Sequence, residues 1–287
     1  MAQGQDEFGR IVRRHHAKLT RGQRRVADYM LRHYDDCAFQ TSGQIGEHAG
    51  VSETTVIRLA SSLSFTGFAD MQKFIRGGLV QSRIDRFGKS PSSVKDEAGL
   101  LAQVARLDSE NIQQTLARIS PADIAQAADM VLKAPMICTV GMRSSATTAF
   151  YLTAALNQLF GNVVALSISL GDHLDRLRSM PPGTVVIGVS FLRYVRHTYE
   201  VMRYAKKIGL RTILITDSLT SPPSQFGDVV FLVSTSSVHY IPSQVAALSI
   251  VNGLLGSIAL RDRKRVVASL KRFEDSLDES DVFCERR

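Results

Sequence analysis

The amino-acid sequence predicts two domains, an all-α domain followed by an α/β three-layer domain with a mainly parallel five-stranded sheet. The length of 287 residues accommodates two domains and little more. Up to about residue 90 the apolar residues recur at three- and four-residue spacing, which is typical of helices. After about residue 120, short β-branched segments alternate with amphipathic segments, which is typical of a doubly wound sheet.

Thr20 and the helical pattern that follows it indicate the first helix. Thr20 is suited to the N-cap of a helix that runs to about Tyr34, and a later helical pattern covers Phe68 to Phe87. A cluster of Gly88, Ser90, Pro91, Ser92 and Ser93 then indicates a linker. We therefore place the first domain at residues 1–82, a linker with a connecting helix at 83–119 and the second domain at 120–287.

Residues 44–59 have the spacing of a helix-turn-helix. Gly46 is small enough for the second helix to cross close over the first, and Gly50 can adopt the left-handed conformation that ends the first helix. Val56 and Leu59 can pack the crossing, and Ser52 can cap the second helix. The alternative is a plain helical hairpin that packs against another element.

The second helix of this motif presents a polar face. In a helix-turn-helix its N-terminal residues enter the major groove of DNA. Thr54 and Thr55 can form hydrogen bonds to phosphates or bases. Arg58 can form a bidentate contact to guanine, and Glu53 can accept a hydrogen bond from the amino group of cytosine. The candidate DNA contacts on this helix are Ser52, Glu53, Thr54, Thr55, Arg58 and Ser61.

Basic residues precede the motif. The seven basic and no acidic residues from position 10 to 25 are Arg10, Arg13, Arg14, Lys18, Arg21, Arg24 and Arg25. Such a cluster can hold DNA phosphates regardless of base sequence, and we add Arg24 and Arg25 to the candidate DNA contacts. The alternative is an ordinary solvated helix face.

The overall charge agrees with a polyanionic partner. The chain has 35 basic and 27 acidic residues, which gives a net charge of +8 and a pI near 9.6. Residues 1–90 hold 14 basic and 9 acidic side chains, so +5 of the +8 lies in the smaller part. The charge therefore favours DNA contact by the first domain.

Cysteine spacing and hydropathy exclude several other classes. Cys37, Cys138 and Cys284 are far apart and lack C-x-x-C spacing, so we expect no disulfide framework, no metal site and a reducing compartment. Met1 to Lys18 is polar, unlike a signal peptide, and the longest apolar stretch, Val245 to Leu260, is shorter than the ~20 residues of a membrane span. We therefore expect a cytoplasmic protein without a membrane segment. We also expect no cofactor, because the dinucleotide and nucleoside-triphosphate glycine motifs are both missing from the sequence.

The second domain shows five β-branched segments. Most lack polar alternation, as strands buried on both faces do. The predicted strands are Met136–Val140, Asn162–Leu166, Thr184–Val189, Thr212–Thr216 and Val229–Val233. Ser144–Phe160 and Arg196–Ile208 are amphipathic, and we expect them to be crossover helices.

Hydroxyl and guanidinium groups follow three of the predicted strands. In parallel α/β sheets, ligands bind at the carboxyl ends of the strands, where helix N-termini offer N–H groups to anions. The segments 141–145, 190–198 and 216–218 therefore suit a small phosphorylated molecule. The candidate ligand residues are Arg143, Ser144, Ser145, Ser190, Arg193, Thr198 and Asp217. Alternatively, Ser144 and Ser218 are ordinary N-caps and the arginines serve a subunit interface.

The two sites and their order resemble the RpiR-type transcriptional regulators, in which a helix-turn-helix precedes a SIS (sugar isomerase) domain. The stretches that carry this resemblance are Leu19-Thr20, Gly50 to Arg58, Phe65 to Phe68, Ile215 to Ser218 and the run from Pro242. The resemblance covers nearly the whole chain. It implies a bacterial regulator whose SIS domain is flavodoxin-like, pairs with itself and binds a phosphosugar or a similar metabolite.

The sequence departs from that family at both ligand loops. Many SIS domains have G-x-G-x-S after the first strand, and Arg143 stands here in place of the second glycine. They have S-x-S-G-x-T after the third strand, and here a longer basic insert separates Ser190 from Thr198. The resemblance implies that Ser144, Ser145, Ser190 and Thr198 contact an anion, and an organic acid can satisfy the same arginines as a phosphosugar.

Catalysis is not expected. A SIS isomerase needs a general base, and the titratable groups near the predicted strand ends are Asp172, His173, Glu200 and His239. None has a spacing typical of catalysis, and we expect Glu200 on the solvent face of its helix. The alternatives are a sugar-phosphate isomerase whose first domain mediates assembly and a phosphosugar-binding adaptor without DNA contacts.

We expect assembly through the long helix Ser243–Leu260. Pairing of two SIS domains would give a homodimer or homotetramer and bring two reading helices to half-sites of a double-stranded operator. A ligand would then change the relative placement of the two helix-turn-helix domains through the linker near residues 83–95. This requires that the ligand bind two conformations of the dimer with different affinity.

Overall fold

A computed structural model describes residues 3–88, 96–167 and 171–279. The chain divides into two compact units. The first comprises residues 1–103 with two short returns at 220–222 and 238–240, and the second comprises 104–219, 223–237 and 241–287. Each unit has its own core and is described separately.

The first unit is helical, as predicted. Its helices are α1 (Gln3–His15), a 3₁₀ turn (His16–Lys18), α2 (Arg21–Arg32), α3 (Tyr34–Cys37), α4 (Ser42–Ala49), α5 (Glu53–Ser62) and α6 (Phe68–Gly88). The division between units falls within α7 (Glu97–Leu116). The largest side chains of its core are Phe8, Met30, Tyr34, Ile45, Leu59, Met71 and Ile75, none more than 2% exposed.

Thr20 caps α2 in the way the sequence predicts. Its hydroxyl accepts from the backbone N–H of Gln23, and the Gln23 side chain accepts from the N–H of Thr20. The helix ends two residues earlier than predicted, because Tyr34 begins α3. The predicted linker residues 90–93 lie outside the described residues, and Gly88 is the last residue of α6.

The second unit is a three-layer α/β domain. The five strands are β1 (Ile137–Gly141), β2 (Val163–Ala165), β3 (Val185–Ser190), β4 (Arg211–Thr216) and β5 (Val229–Leu232). All neighbours are parallel, in the order β2-β1-β3-β4-β5, so the predicted sheet is confirmed. The helices are α8 (Pro121–Lys133), α9 (Ser145–Leu159), α10 (His173–Arg178), α11 (Arg196–Lys207), α12 (Val245–Arg261) and α13 (Arg263–Glu279).

Alternate side chains of the strands pack against different helix layers. Ile137, Val185 and Ile213 point to the layer that includes α8, α9 and α12. Cys138 and Val186 point to the layer that includes α10 and α11. The strands are therefore buried on both faces, which explains why their sequences lack polar alternation.

Candidate functional site

The crossing of α4 and α5 requires glycine at two positions. A Cβ on Gly46 would lie 2.9 Å from the carbonyl oxygen of Val51, so a larger residue would push the helices apart. Gly50 has φ +63° and follows α4 directly, as the predicted left-handed cap. Val56 and Leu59 are fully buried beneath this crossing. The helix-turn-helix geometry predicted from the sequence is therefore present.

The expected capping role of Ser52 is wrong in its detail. Ser52 occupies the N-cap position of α5, but its side chain accepts no backbone hydrogen bond. The Ser52 and Thr55 hydroxyls are instead 3.0 Å apart and bond each other. A capping hydroxyl would accept from the backbone N–H of Thr55. That N–H donates instead to the carbonyl of Ser52, at 2.9 Å.

The predicted reading face of α5 is exposed on its polar side. Thr54 and Arg58 are exposed, and Thr55 is half-buried against the α2 helix, where a Cβ on Gly22 would lie 3.2 Å from its methyl group. Glu53 is exposed and accepts a hydrogen bond from the Ser42 hydroxyl. The exposed members of the predicted set are Ser52, Glu53, Thr54, Arg58 and Ser61.

Two of the predicted phosphate contacts border this face. Arg24 and Arg25 are exposed on α2, and the Arg25 guanidinium lies against Gly50 in the turn of the motif. The Gln23 side chain donates to the Ser62 hydroxyl at 2.8 Å and thereby fixes α2 beside α5. The arginines and the reading face consequently form one positively charged surface.

In the second unit, the strand order reverses between β1 and β3. Strand β1 pairs with β2 on one side and β3 on the other, so the connections leave in opposite directions there. Such a topological switch point leaves a crevice at the carboxyl ends of the strands, where ligands bind. The loop to α9 and the loop to α11 both begin at this crevice. The sequence-predicted ligand residues lie on these two loops and after β4.

Four predicted hydroxyl groups at the crevice make no hydrogen bond within the described part of the chain. Ser144 precedes α9 without capping it, and Ser145 is 5% exposed in the first turn. Ser190, at the end of β3, is 3% exposed, and Thr198, in the first turn of α11, is 1% exposed. Because none of the four hydroxyls is engaged by another described residue, they are available to a ligand.

Two arginines at the crevice have a strained backbone. Arg143 has φ +56° and Arg193 has φ +71°, in the loops that follow the paired strands β1 and β3. Left-handed backbone is unfavourable for a residue with a Cβ, and such residues are enriched at ligand-binding sites as well as at helix ends. Both side chains are exposed, and neither forms an ion pair with a described residue.

Asp217 holds the loop that follows β3. One carboxylate oxygen accepts from the N–H of Leu192 at 2.9 Å, and the other accepts from the Tyr194 hydroxyl at 2.8 Å. These bonds hold the β3–α11 loop on both sides of Arg193. Both carboxylate oxygens of Asp217 are thus engaged by the loop, and its predicted contact with a ligand stays a prediction.

His173 stands out at the same crevice, although sequence reasoning considered it only as a possible base. Its side chain is 8% exposed, and neither ring nitrogen has a hydrogen-bond partner. One buried oxygen of Asp172 also has none. The His173 ring lies 5.8 Å from the ring of His197, which precedes Thr198. The only signal for this residue in the sequence is an Asp-His pair ahead of a short helix.

Glu200 is not on the fully solvated face expected for it. Its side chain is half-buried, at 24% exposed, and accepts from the Arg196 guanidinium at 2.7 Å. That hydrogen bond, together with the positive charges of Arg196 and the nearby histidines, lowers the pKa of Glu200 although partial burial opposes the shift. Arg196 is therefore balanced within its own helix, unlike Arg143 and Arg193.

Two further kinds of site can be assessed over the same residues. Within residues 3–88, 96–167 and 171–279, no three histidine, cysteine, aspartate or glutamate side chains come together as metal ligands would. No single helix in those ranges is long and apolar enough to cross a membrane, and α12 with α13 reaches that length only as a pair bent by 111°. Cys37 and Cys138 are buried free thiols.

A helix-turn-helix joined to a doubly wound domain with a crevice at the carboxyl ends of its strands defines a class, the transcriptional regulators with a second, sensor-type domain. The family model described as "Helix-turn-helix domain, rpiR family" matches residues 8–82, and the family model of the SIS domain matches residues 130–255. An RpiR transcription factor from Sphaerobacter thermophilus is 35% identical in its sugar isomerase domain, with 98% of that chain and 61% of this one covered and a TM-score of 0.58. The chain belongs to the RpiR family of transcriptional regulators.

Two relatives extend over nearly the whole chain. The HTH-type transcriptional regulator HexR of Escherichia coli (strain K12) is 25% identical over 269 residues, which are 91% of each chain. The Vibrio vulnificus NanR protein, complexed with ManNAc-6P, is 19% identical with a TM-score of 0.71, over 96% of this chain and 100% of that one. The latter likeness shows a shared fold.

Proposed function

We propose that this regulator reads an operator with α5 and responds to a small anionic metabolite, a phosphosugar or a related organic acid, bound at the β1/β3 crevice of its SIS domain. The observation that carries the sensor assignment is the set of four unpartnered hydroxyls. These hydroxyls have no bond to give up within the described residues, so an anion that accepts from them gains hydrogen bonds without breaking any of the protein's own.

The charge of the crevice fits a phosphate group. A phosphate monoester carries about −1.5 to −2 charge near neutral pH. Arg143 and Arg193 supply two positive charges without partners among the described residues, at the same edge of the sheet as Ser144 and Thr198. Guanidinium groups and hydroxyls together are the usual donors to phosphate oxygens. The same donors accept a carboxylate, so organic acids remain in the proposed ligand class.

The polyhydroxylated part of a sugar finds its partners at His173. Its two unpartnered ring nitrogens can donate to one hydroxyl and accept from another, and Asp172 offers a further acceptor. Neutral hydroxyl groups need both hydrogen-bond donors and acceptors, whereas a second anion would need donors only. The NanR protein, whose fold this chain shares, is complexed with a phosphorylated amino sugar, ManNAc-6P. A phosphosugar is accordingly our first candidate.

The DNA contacts proposed for α5 are Thr54, Arg58 and Ser61, with Ser52 and Thr55 at its start. All except the half-buried Thr55 are exposed, and Arg24 and Arg25 can bond phosphates beside the groove. Glu53 is turned toward Ser42 by a hydrogen bond and can accept from a cytosine amino group. Arg58 is the residue we expect to be most important for specificity, because a bidentate bond to guanine is the commonest specific contact.

Side-chain hydrogen bonds lead from the crevice to helix α7. Thr148, one turn after Ser144, donates to the Gln244 side chain at 2.8 Å. The adjacent Ser243 donates to Asp108 on α7. Since the polypeptide continues from α7 back to the helix-turn-helix unit, a ligand that shifts α9 can shift α7. We propose this route for coupling in place of the linker at residues 83–95.

Self-association is proposed through the outer face of α9 and α12. Phe150 is 75% exposed and Leu260 is 88% exposed, which is costly for large apolar side chains on a solvated surface. Gly253 and Gly256 are exposed on α12 between them in sequence and allow close approach of a second helix. A homodimer with two reading helices fits an operator with two half-sites.

Two measurements test the proposed function. In a gel-shift assay on the DNA upstream of its own gene, we expect specific binding by the wild type and at least a tenfold loss for Arg58→Ala. Lys73→Ala, which removes an equal charge from α6, is the control and should keep specificity. Failure of the wild type to prefer any duplex would overturn the regulator assignment.

The ligand is tested by thermal shift with phosphorylated sugars and small organic acids. A compound that binds should raise the melting temperature of the wild type but not of Thr198→Val, which removes a hydroxyl and keeps the volume. Thr147→Val, an exposed site on α9, is the matched control. Turnover of an aldose or ketose phosphate by the purified protein would instead favour the isomerase alternative.

A further inference from the structure

Ile57 is an isolated apolar side chain on the reading face of α5. It is 43% exposed, and among residues 4–79, whose side chains the structure describes, it is the only large hydrophobic residue with that degree of exposure. The other apolar residues of this helix, Val56, Leu59 and Ala60, are buried. Ile57 therefore contributes little to the core of its unit.

Helix stability does not account for isoleucine at this position. A β-branched side chain loses rotamer freedom in a helix, so alanine, lysine or glutamate would favour an exposed helical site more. Packing does not account for it either, because nearly half of its surface remains open. A contact with a partner molecule is the remaining physical reason for an apolar group here.

The neighbours of Ile57 indicate what that partner is. Thr54 precedes it by three residues and Ser61 follows it by four, so the three share one row along the helix. Arg58 is adjacent, and Arg24 and Arg25 border the same surface. An apolar group in one helix row with two hydroxyls and next to an arginine is complementary to DNA, where the thymine methyl is the apolar feature of the major-groove edge.

We propose that Ile57 contacts the C5-methyl group of a thymine and thereby sets a base preference of the operator. This inference rests on the proposed DNA reading by α5 and adds a specificity-determining residue to it. Arg58 and the threonines supply hydrogen bonds, whereas Ile57 supplies the one contact that recognises a base by its shape and apolar surface. Ile57 lies in the second turn of α5, which places its thymine inside the half-site.

The experiment uses the full-length protein and a duplex selected by the wild type from a random DNA library. Each thymine of that duplex is replaced in turn by deoxyuridine, which removes the methyl group and leaves the pairing edge unchanged. For one thymine in each half-site we expect the wild-type Kd to rise about fourfold, the factor that corresponds to one buried methyl group. For Ile57→Ala we expect equal Kd values with thymine and deoxyuridine at that position.

Two further variants keep the result interpretable. Ile57→Val retains part of the apolar surface, so it should keep part of the methyl dependence, and all variants should show the wild-type melting temperature because position 57 is exposed. Arg58→Ala should lose affinity while the methyl dependence persists in what binding remains. The measurements share one salt concentration, since affinity for DNA falls steeply with salt.

The possible outcomes separate this inference from the proposed function. If no duplex is enriched in the selection, the DNA-reading function itself is wrong. If a duplex is enriched but no deoxyuridine replacement matters, or the methyl dependence survives in Ile57→Ala, the thymine contact alone is wrong. A change in the oligomeric state of Ile57→Ala without DNA would assign the side chain to a second copy of the chain and overturn the contact as well.

Discussion

Asn111 of α7 holds Ser236 by two hydrogen bonds, as a neighbouring strand would. The Asn111 side chain donates to the carbonyl of Ser236 at 2.7 Å and accepts from its N–H at 3.0 Å. One turn further along the helix, the Thr115 hydroxyl accepts from the N–H of Ser234 at 2.9 Å. The chain after β5 lacks a strand on this side, and helix side chains satisfy its backbone instead.

Asn111→Leu should therefore destabilise the second unit. The substitution removes both hydrogen bonds to the backbone of Ser236, and because Ser236 is exposed, water replaces part of them, so we expect a cost of about 1 kcal/mol. We expect a lower urea midpoint by circular dichroism. Gln113→Leu, at an exposed position of the same helix, is the control. Equal midpoints for the two variants would show that Asn111 contributes nothing.

Ser64 offers a stabilising substitution at the end of α5. It has φ +69°, and the hydrogen bonds from Ser64 to Ser61 and from Phe65 to Ala60 close the helix in a left-handed cap. Glycine takes this conformation without steric cost, so Ser64→Gly should raise the free energy of unfolding by about 0.5–1 kcal/mol. Gly50→Ala, at the equivalent end of α4, should lower it. A thermal unfolding curve measures both, and a lower melting temperature for Ser64→Gly would contradict the explanation.

Local signals predicted most of the fold. Thr20 with Gln23 predicts a helix start because both partners lie within one turn, and Gly50 predicts a helix end because of its own backbone freedom. The strands were predictable because burial on both faces leaves a continuous apolar run. The position of the crevice at the carboxyl ends of the strands followed from the rule for parallel sheets, which needs only the order of the elements.

The parts that could not be predicted depend on contacts between distant segments. Asp217 follows β4, and its role depends on Leu192 and Tyr194, which the fold brings beside it. His173 gains significance only from its burial and from the absence of a partner within the described residues. Neither fact is visible in a list of residue types. The exposure of Ile57 likewise depends on how α5 packs against its neighbours.

His173→Leu should separate stability from ligand binding. If the ring serves a ligand, its loss removes an unsatisfied buried polar group, so the unliganded protein should unfold at an equal or higher temperature. The stabilisation by a bound phosphosugar should disappear, because the hydroxyl partners are gone. His16→Leu, at an exposed histidine of the first unit, should leave the ligand effect intact. A large loss of stability in His173→Leu would assign the histidine to the core instead.

Asp228 makes the second unit sensitive to acid. Burial raises the pKa of its carboxyl, but hydrogen bonds from Lys206 and from Thr212 outweigh this effect and leave the pKa below its ordinary value of 3.8. A carboxyl with a depressed pKa stabilises the fold above its unfolded pKa, and the contribution is lost as the pH falls through the lower folded value. Asp228→Asn should thus cost roughly 1 kcal/mol at neutral pH, allowing for its partial exposure. Urea unfolding across pH should show the difference shrink as the pH falls through the folded pKa of Asp228 and vanish below it, and a difference that stays constant as the pH is lowered would contradict this assignment.

Ser243→Ala should uncouple the sensor from the reading helix. Ser243 directly precedes Gln244, which holds Thr148 near the crevice, and its hydroxyl donates to Asp108 on α7. Without that bond a ligand can still occupy the crevice, because no ligand-facing hydroxyl is changed, but movement of α9 is transmitted less to α7. We expect an unchanged melting-temperature shift with a phosphosugar that stabilises the wild type, and a smaller change in operator affinity measured by fluorescence anisotropy. Ser249→Ala, whose hydroxyl bonds only within α12, is the control and should keep the full response. Allosteric coupling through this hydrogen bond requires that the bond differ between the liganded and unliganded states. If the ligand changes the operator affinity of Ser243→Ala as much as that of the wild type, the signal reaches the DNA-binding unit by another path.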